Sequence, residues 1–188
     1  MRFWSRELRD ESGSALVEFA LAMPLFLLFY MGGVELTRFI LINQKLEKTT
    51  STVADVVAQA NSIVTQDLVD LLSASQNLMD PYSFGSNGRI IITSVVQSAA
   101  PPALPVVRWQ YCGGGTLSAT SRIGAVNASA SLPTGFTLTL GDDIIIAETF
   151  YNYVPIFGNQ IVGARSLYKV AYYRPRLGAL SGYVSSCP

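Results

Sequence analysis

A long run of apolar residues near the N-terminus dominates the hydrophobic pattern. Residues 19 to 34 carry no charged side chain, and Glu18 and Glu35 bracket them. If Glu18 were neutralised, the apolar stretch would extend from Ser14 to Val34. At about 1.5 Å per residue this stretch would cover roughly 31 Å, the thickness of one hydrocarbon core. The pattern predicts a membrane-spanning helix over about residues 14–34, bent rather than ended by Pro24.

The helical pattern continues beyond this apolar run. Apolar residues recur at three- and four-residue spacing through Ile42, Leu46, Val53 and Val57, with polar residues between them. This spacing predicts one long helix over residues 14–62, whose second half buries a single stripe.

The pattern then changes from helix to strand. A second helix is predicted from Thr65, as its N-cap, to about Met79, where Asp80-Pro81 ends it. Four runs rich in β-branched and aromatic residues follow, separated by Pro and Gly. Helices come first and strands later, without βαβ alternation. We therefore expect an α+β fold, with an antiparallel sheet of about four strands packed on the lower half of the long helix. The four runs are residues 89–97, 106–112, 143–154 and 165–174.

Composition excludes several classes of function. The chain has 13 Lys and Arg, 13 Asp and Glu and no His, so its formal charge is zero. A nucleic-acid partner would require a basic surface, so with zero net charge no nucleic-acid partner is expected. The absence of His excludes Ser-His-Asp, Cys-His and HExxH chemistry. Only 14% of the residues are charged, against roughly 25% in soluble domains, which predicts burial in lipid or against other subunits.

An ordinary cleaved signal peptide does not fit the apolar run. Its small-residue cleavage site should follow the run, but the Ala20–Ala22 triplet lies near the start and no clean site follows Val34. Three arginines before the run (Arg2, Arg6 and Arg9) mildly favour an N-terminus on the cytoplasmic side.

The junction before the apolar run carries a family resemblance. A short charged leader is followed by Gly13, four small or apolar residues, Glu18 and Phe19. This arrangement resembles the class III signal of type IV prepilins, which a prepilin peptidase cuts after the glycine. The resemblance implies cleavage between Gly13 and Ser14, so that Glu18 becomes the fifth residue of the mature chain. The initial serine and the Glu18-Phe19 pair depart from the widespread pilin pattern and are closer to the tight-adherence (Tad or Flp) branch.

Later segments strengthen the likeness to one group of that branch. The helix GSALVEFALAMPLFLLFYMGGVEL resembles that of TadE-like minor pilins, and WQYC at 109–112, the stretch 132–157 and YRPR at 173–176 resemble their C-terminal domain. The resemblance implies a pilin-like fold with three parts: a leader at 1–13, the long helix at 14–62, and an extracytoplasmic domain at 63–188 that contains the second helix and the sheet.

The function implied by this resemblance is assembly rather than catalysis. A minor pilin or pseudopilin is inserted in the bacterial inner membrane as a single span, with its C-terminal domain in the periplasm. It is then cleaved and assembled through its N-terminal helix into an adherence pilus, or at the base or tip of one. The implied partners are the prepilin peptidase, other Tad pilins, the assembly platform and the lipid bilayer. No cofactor or metal is expected.

Two alternatives stay open at this stage. One is a signal-anchored periplasmic binding or scaffold protein that never polymerises and keeps residues 1–13. The other is an envelope enzyme, for which no catalytic site is evident in the sequence.

Glu18 has two interpretations. Its carboxylate can pair with the new α-amine of Ser14, in the same chain or a neighbouring one, and so set the register between helices. Alternatively, Glu18 serves only recognition by the peptidase.

The two cysteines, Cys112 and Cys187, are expected to form a disulfide if the domain lies outside the cytoplasm, because envelope compartments permit oxidation. Two unpaired structural thiols are the alternative.

Asp142-Asp143 is an apparent carboxylate pair, but adjacent strand residues point to opposite faces and Gly141-Asp142 is typical of a turn.

Aromatic residues are dense in the predicted strands. We expect about two-thirds of them to form the core between sheet and helix, and the remainder to form an exposed contact patch. The set comprises Trp109, Tyr111, Phe150, Tyr151, Tyr153, Phe157, Tyr168, Tyr172 and Tyr173.

Overall fold

The computed structural model describes residues 12–100, 103–159, 161–176 and 187. Helix α1 covers Ser12–Gln59, α2 covers Thr65–Leu78 and the short α3 covers Phe84–Asn87. The strands are β1 (Gly88–Gln97), β2 (Pro105–Gly113), β3 (Asp143–Tyr153) and β4 (Arg165–Tyr173). The predicted leader up to Glu11, the Pro101-Pro102 turn and the tail from Leu177 to Ser186 lie outside the described residues.

The chain divides into two compact units, and α1 contributes to both. The first unit combines the N-terminal part of α1, through Phe39, with Pro155–Gly163. The second unit combines Ile40–Val154 with the chain from Ala164 onward and contains the whole sheet.

The sheet confirms the predicted α+β class. Its four strands lie in the order β2-β1-β3-β4, and every neighbouring pair is antiparallel. The register between β1 and β2 shifts between Ser94 and Val95, so β2 has an extra residue at Arg108. Such a bulge bends an edge strand and increases its twist.

The second half of α1 packs on one face of this sheet. Its buried residues recur every three or four positions, which places them on one stripe facing the strands. Thr50 anchors the contact, because its hydroxyl donates to Oγ1 of Thr149 on β3 at 2.8 Å. Helix α2 lies on the same face, where Leu72 approaches Gly113 of β2 so closely that a Cβ there would lie 2.8 Å from its Cδ1. The apolar members of the stripe are Ile42, Leu46, Val53, Ala54, Val57 and Ala58.

The opposite face of the sheet is covered by the 114–142 loop, the segment between β2 and β3. A buried cluster joins Ile123 of this loop to Val107, Ile144 and Ile146 of the strands. The loop also pairs with the edge of β2: the Val107 N–H donates to Ala128 O at 3.0 Å, and the Asn127 N–H donates to Val107 O at 2.9 Å. The sheet is therefore buried on both faces, and one of its two edges is protected.

The glycine triplet at 113–115 makes the start of this loop possible. Gly114 has a φ of +74°, which a residue with a side chain rarely adopts. Gly115 lies against the carbonyl of Gly88, where a Cβ would collide with backbone. These glycines let the chain turn away from β2 while it stays in close contact with the backbone of Gly88.

Several local expectations need correction. Val64, not Thr65, is the N-cap of α2: the Asp67 carboxylate accepts the Val64 N–H at 3.1 Å and so supplies the cap from inside the helix. The long helix ends at Gln59 rather than 62. The buried stripe is not purely apolar: it includes small and hydroxyl side chains such as Thr49 and Ala54, whereas the apolar Val56 is exposed.

Candidate functional site

The predicted processing junction lies in the first turn of α1. Gly13 and Ser14 are exposed, and a Cβ built on Gly13 would meet no atom within 4 Å. The Ser14 hydroxyl donates to Oε1 of Glu18 at 3.3 Å, one helical turn away. Phe19 is exposed as well. The structure thus brings Ser14 and Glu18 together, and among the described residues no packing contact requires a glycine at position 13. Cleavage between Gly13 and Ser14 stays a prediction.

The apolar half of α1 has no buried side. Among the described residues, α1 is the one helix long and apolar enough to cross a membrane, and its most apolar window is not buried within the protein at all. A helix that is apolar all round is stable only inside lipid or among other protein chains. Its exposed large apolar side chains are those of Leu16, Val17, Phe19, Leu21, Met23, Leu25, Phe26, Leu27, Leu28, Phe29, Tyr30, Met31 and Val34.

Glu35 ends this apolar segment and holds a distant loop. Its side chain is fully buried, at 0% exposure. Oε2 accepts the backbone N–H of Ile156 at 3.0 Å and that of Phe157 at 3.2 Å. A buried carboxylate needs such donors, since an unpaired one is very unfavourable. Sequence reasoning recognised Glu35 only as the boundary of the apolar run, because its partners lie about 120 residues away and are backbone groups.

A second buried carboxylate, Glu148 on β3, fastens the 114–142 loop to the sheet. Glu148 is 0% exposed. Its Oε1 accepts the Arg122 N–H at 2.9 Å and the Tyr168 hydroxyl at 2.8 Å, and its Oε2 accepts the Ser121 hydroxyl. Burial and the neighbouring Glu148 charge raise the pKa of Tyr168. Three donors converge on a closed position, an arrangement that stabilises a loop rather than one that binds a ligand.

Cys112 and Cys187 are bonded to each other in the structure, with their Cα atoms 5.1 Å apart. Cys112 lies in β2, so the bond attaches the end of the chain to an edge strand of the sheet. Oxidation of this pair in the exported protein stays a prediction.

The two neighbouring aspartates serve separate structural purposes. Asp142 closes a turn by accepting the Thr139 N–H at 3.1 Å and its hydroxyl at 2.9 Å, and these bonds lower the pKa of Asp142. Asp143 is buried on β3, where it accepts the Ser94 hydroxyl at 2.9 Å and pairs with Arg108 at 3.4 Å. The two carboxylates do not form an acid–base pair.

The aromatic residues do not form the exposed patch that was expected. None of the nine is exposed, and five of them are half-buried. The fully buried ones are Trp109, Phe150, Tyr151 and Tyr153. Within the described part of the chain, no group of three or more Cys, Asp or Glu side chains is placed to hold a metal ion.

Among known proteins, the match lies in helix α1. Residues 13–55 match the model of the family described as TadE-like protein. This segment is TadE-like. The match begins at Gly13 and covers most of α1, so it confirms the resemblance stated from the sequence over the helix that carries the junction and the apolar run. No curated protein and no solved structure matches the chain significantly.

Proposed function

We propose that the chain is a minor pilin or pseudopilin, cleaved between Gly13 and Ser14 and assembled through α1 into a Tad-type adherence pilus or its base or tip. The observation that carries this proposal is that the TadE-like segment, residues 13–55, contains the half of α1 whose apolar side chains are left uncovered. The protein catalyses nothing and is a substrate of the prepilin peptidase.

The apolar surface of the exposed half of α1 is compatible first with the lipid bilayer and then with the interior of a filament. In the membrane, residues 14–34 match the hydrocarbon thickness and lipid covers them on all sides. In a filament, the same side chains pack against the helices of neighbouring subunits, which offer equally apolar contacts. One surface thus serves both insertion and assembly, and the inner-membrane platform transfers the helix between them.

The compact sheet domain belongs on the periplasmic side and later on the cell surface. A disulfide between β2 and the chain end fits an oxidising compartment. The arginines of the leader, before the span, favour a cytoplasmic N-terminus.

The test is the N-terminus of the protein isolated from cells with and without the prepilin peptidase. With the peptidase, intact mass and N-terminal sequencing should show a chain that begins at Ser14. Gly13→Leu should block this maturation, because the peptidase needs a small residue there. Gly33→Leu is the matched control, since Gly33 is also a helical glycine whose Cβ would meet no atom within 4 Å.

Normal maturation of Gly13→Leu would refute the assignment. A wild-type chain that keeps residues 1–13 in the presence of the peptidase would instead support a signal-anchored periplasmic protein that does not polymerise.

A further inference from the structure

The segment Pro155–Gly163 has an unusual surface for a loop. Residues 150 to 164 contain no charged side chain. Ile156 is 59% exposed, although large apolar side chains at the tips of water-exposed loops are unfavourable. An apolar side chain exposed in an uncharged segment is better accommodated by lipid or by a protein partner than by water.

Two contacts place this loop beside the end of the apolar run. The Glu35 carboxylate holds the N–H groups of Ile156 and Phe157, and the Ile161 side chain lies beside Gly32, 4.0 Å from the position of a Cβ there. Gly32 belongs to the uncharged run, whereas Glu35 and Arg38 are the first charged residues after it. The loop therefore lies where the helix changes from apolar to polar.

The depth of the Pro155–Gly163 loop relative to the bilayer follows from the proposed membrane span. If residues 14–34 cross the hydrocarbon core, Gly32 lies about 3 Å inside its edge, since each residue advances the helix by about 1.5 Å. A loop fixed at Gly32 and Glu35 then lies in the interfacial layer of the bilayer. There an exposed isoleucine gains contact with acyl chains, and uncharged polar residues remain among the headgroups.

We propose that the Pro155–Gly163 loop is a second membrane contact, in which Glu35 holds the backbone so that Ile156 enters the lipid interface next to the point where α1 leaves the bilayer. This inference rests on the proposed membrane span of α1. The contact fixes the depth of the helix from outside the span, before the subunit is withdrawn for assembly.

The test is tryptophan quenching by brominated lipid in the full-length, uncleaved chain. The protein is reconstituted in vesicles of phosphatidylcholine with a minor fraction of phosphatidylglycerol. Bromine is placed either near the headgroup end or near the terminus of the acyl chains. Trp4→Phe serves as the parent, and the buried Trp109 gives a constant background. Single tryptophans are then introduced by Ile156→Trp, Leu25→Trp and Leu140→Trp.

Each variant reports a different part of the inference. Ile156→Trp should show blue-shifted emission and stronger quenching by the shallow bromine than by the deep one. Leu25→Trp, in the middle of the apolar run, should be quenched more by the deep bromine. Leu140 is 68% exposed in a turn of the sheet domain, so Leu140→Trp is matched in exposure and should show no quenching.

The outcomes separate this inference from the proposed function. Quenching of Leu25→Trp without quenching of Ile156→Trp would overturn the loop contact and leave the membrane span intact. A blue shift at Ile156→Trp without quenching would likewise overturn it, in favour of contact with protein. Equal quenching at Leu140→Trp and Ile156→Trp would show general adsorption and overturn it too. Absence of quenching at Leu25→Trp would overturn both the span and the loop contact.

Discussion

Removal of the Glu148 carboxylate should loosen the 114–142 loop, which covers the face of the sheet opposite α1 and α2. Glu148→Ala deletes the acceptor for the Arg122 N–H and for the hydroxyls of Ser121 and Tyr168. The backbone N–H cannot rotate to another partner, whereas the two half-buried hydroxyls can turn towards water. The loop would then be held by the apolar cluster around Ile123 and by its backbone hydrogen bonds to β2.

The size of the effect follows from the number of donors. Hydrogen bonds to a charged group contribute about 1.5–3 kcal/mol each. Allowing for rehydration of the hydroxyls, Glu148→Ala should lower the free energy of unfolding of the sheet domain by about 3–5 kcal/mol. Glu148→Gln keeps the shape and can accept from Arg122 and Tyr168 while donating to Ser121. It loses only the charge and should cost about 1–2 kcal/mol, since charge-assisted bonds are roughly twice as strong as neutral ones.

Urea unfolding of the full chain with Trp4→Phe in detergent micelles, followed by near-ultraviolet circular dichroism and by Trp109 fluorescence, measures these differences. Glu47→Ala is the matched control, because Glu47 is exposed and its ion pair with Lys169 lies on the surface. That variant should change stability by less than about 1 kcal/mol. A loss of less than about 1 kcal/mol for Glu148→Ala would refute the reasoning. An equal loss for the Gln and Ala variants would show that the charge, and not the set of hydrogen bonds, stabilises the loop.

Cys112 and Cys187 should be oxidised in exported protein, and their replacement by serine should lower stability by about 2–5 kcal/mol; free thiols in envelope material, found by non-reducing peptide mapping, would contradict this. The bonds from Thr139 lower the pKa of Asp142, so the ionised carboxylate contributes stability above its ordinary pKa, and this contribution is lost as pH falls through the lowered value. Asp142→Asn should therefore flatten the acid limb of a plot of Tm against pH below about pH 4, and an unchanged limb would disprove the role of the turn. Glu18→Ala should remain membrane-inserted but be recovered poorly with partner pilins, and normal co-assembly of the correctly cleaved variant would rule out its pairing with the Ser14 amine.

The secondary structure was largely predictable because its signals are local. Helical spacing through Ile42, Leu46 and Val53 depends on residues three or four positions apart, and it located α1 to within a few residues of its ends. The β-branched runs located all four strands for the same reason. The cap of α2 was wrong because Thr65 has the preferred side chain, yet Asp67 reaches back to the backbone and makes Val64 the cap.

The parts of the candidate site that were predictable are also those encoded by neighbouring residues. The junction at Gly13 and Glu18 and the apolar run lie in consecutive residues, and their chemistry depends on composition and order. The family match over residues 13–55 covers this same local segment. The sequence by itself therefore determined the kind of helix, its membrane-like surface and the family that this segment resembles.

Only the tertiary structure decided how distant segments combine. Three features each join residues far apart in the chain: the strand order β2-β1-β3-β4, the packing of the 114–142 loop on the face opposite the helices, and the hydrogen bond from the Ile156 N–H to Glu35. No periodicity encodes such pairs, because a buried carboxylate can accept any backbone N–H that the fold brings to it. A glutamate in the sequence is equally consistent with an exposed side chain, and burial with two donors becomes visible only when the chain has folded.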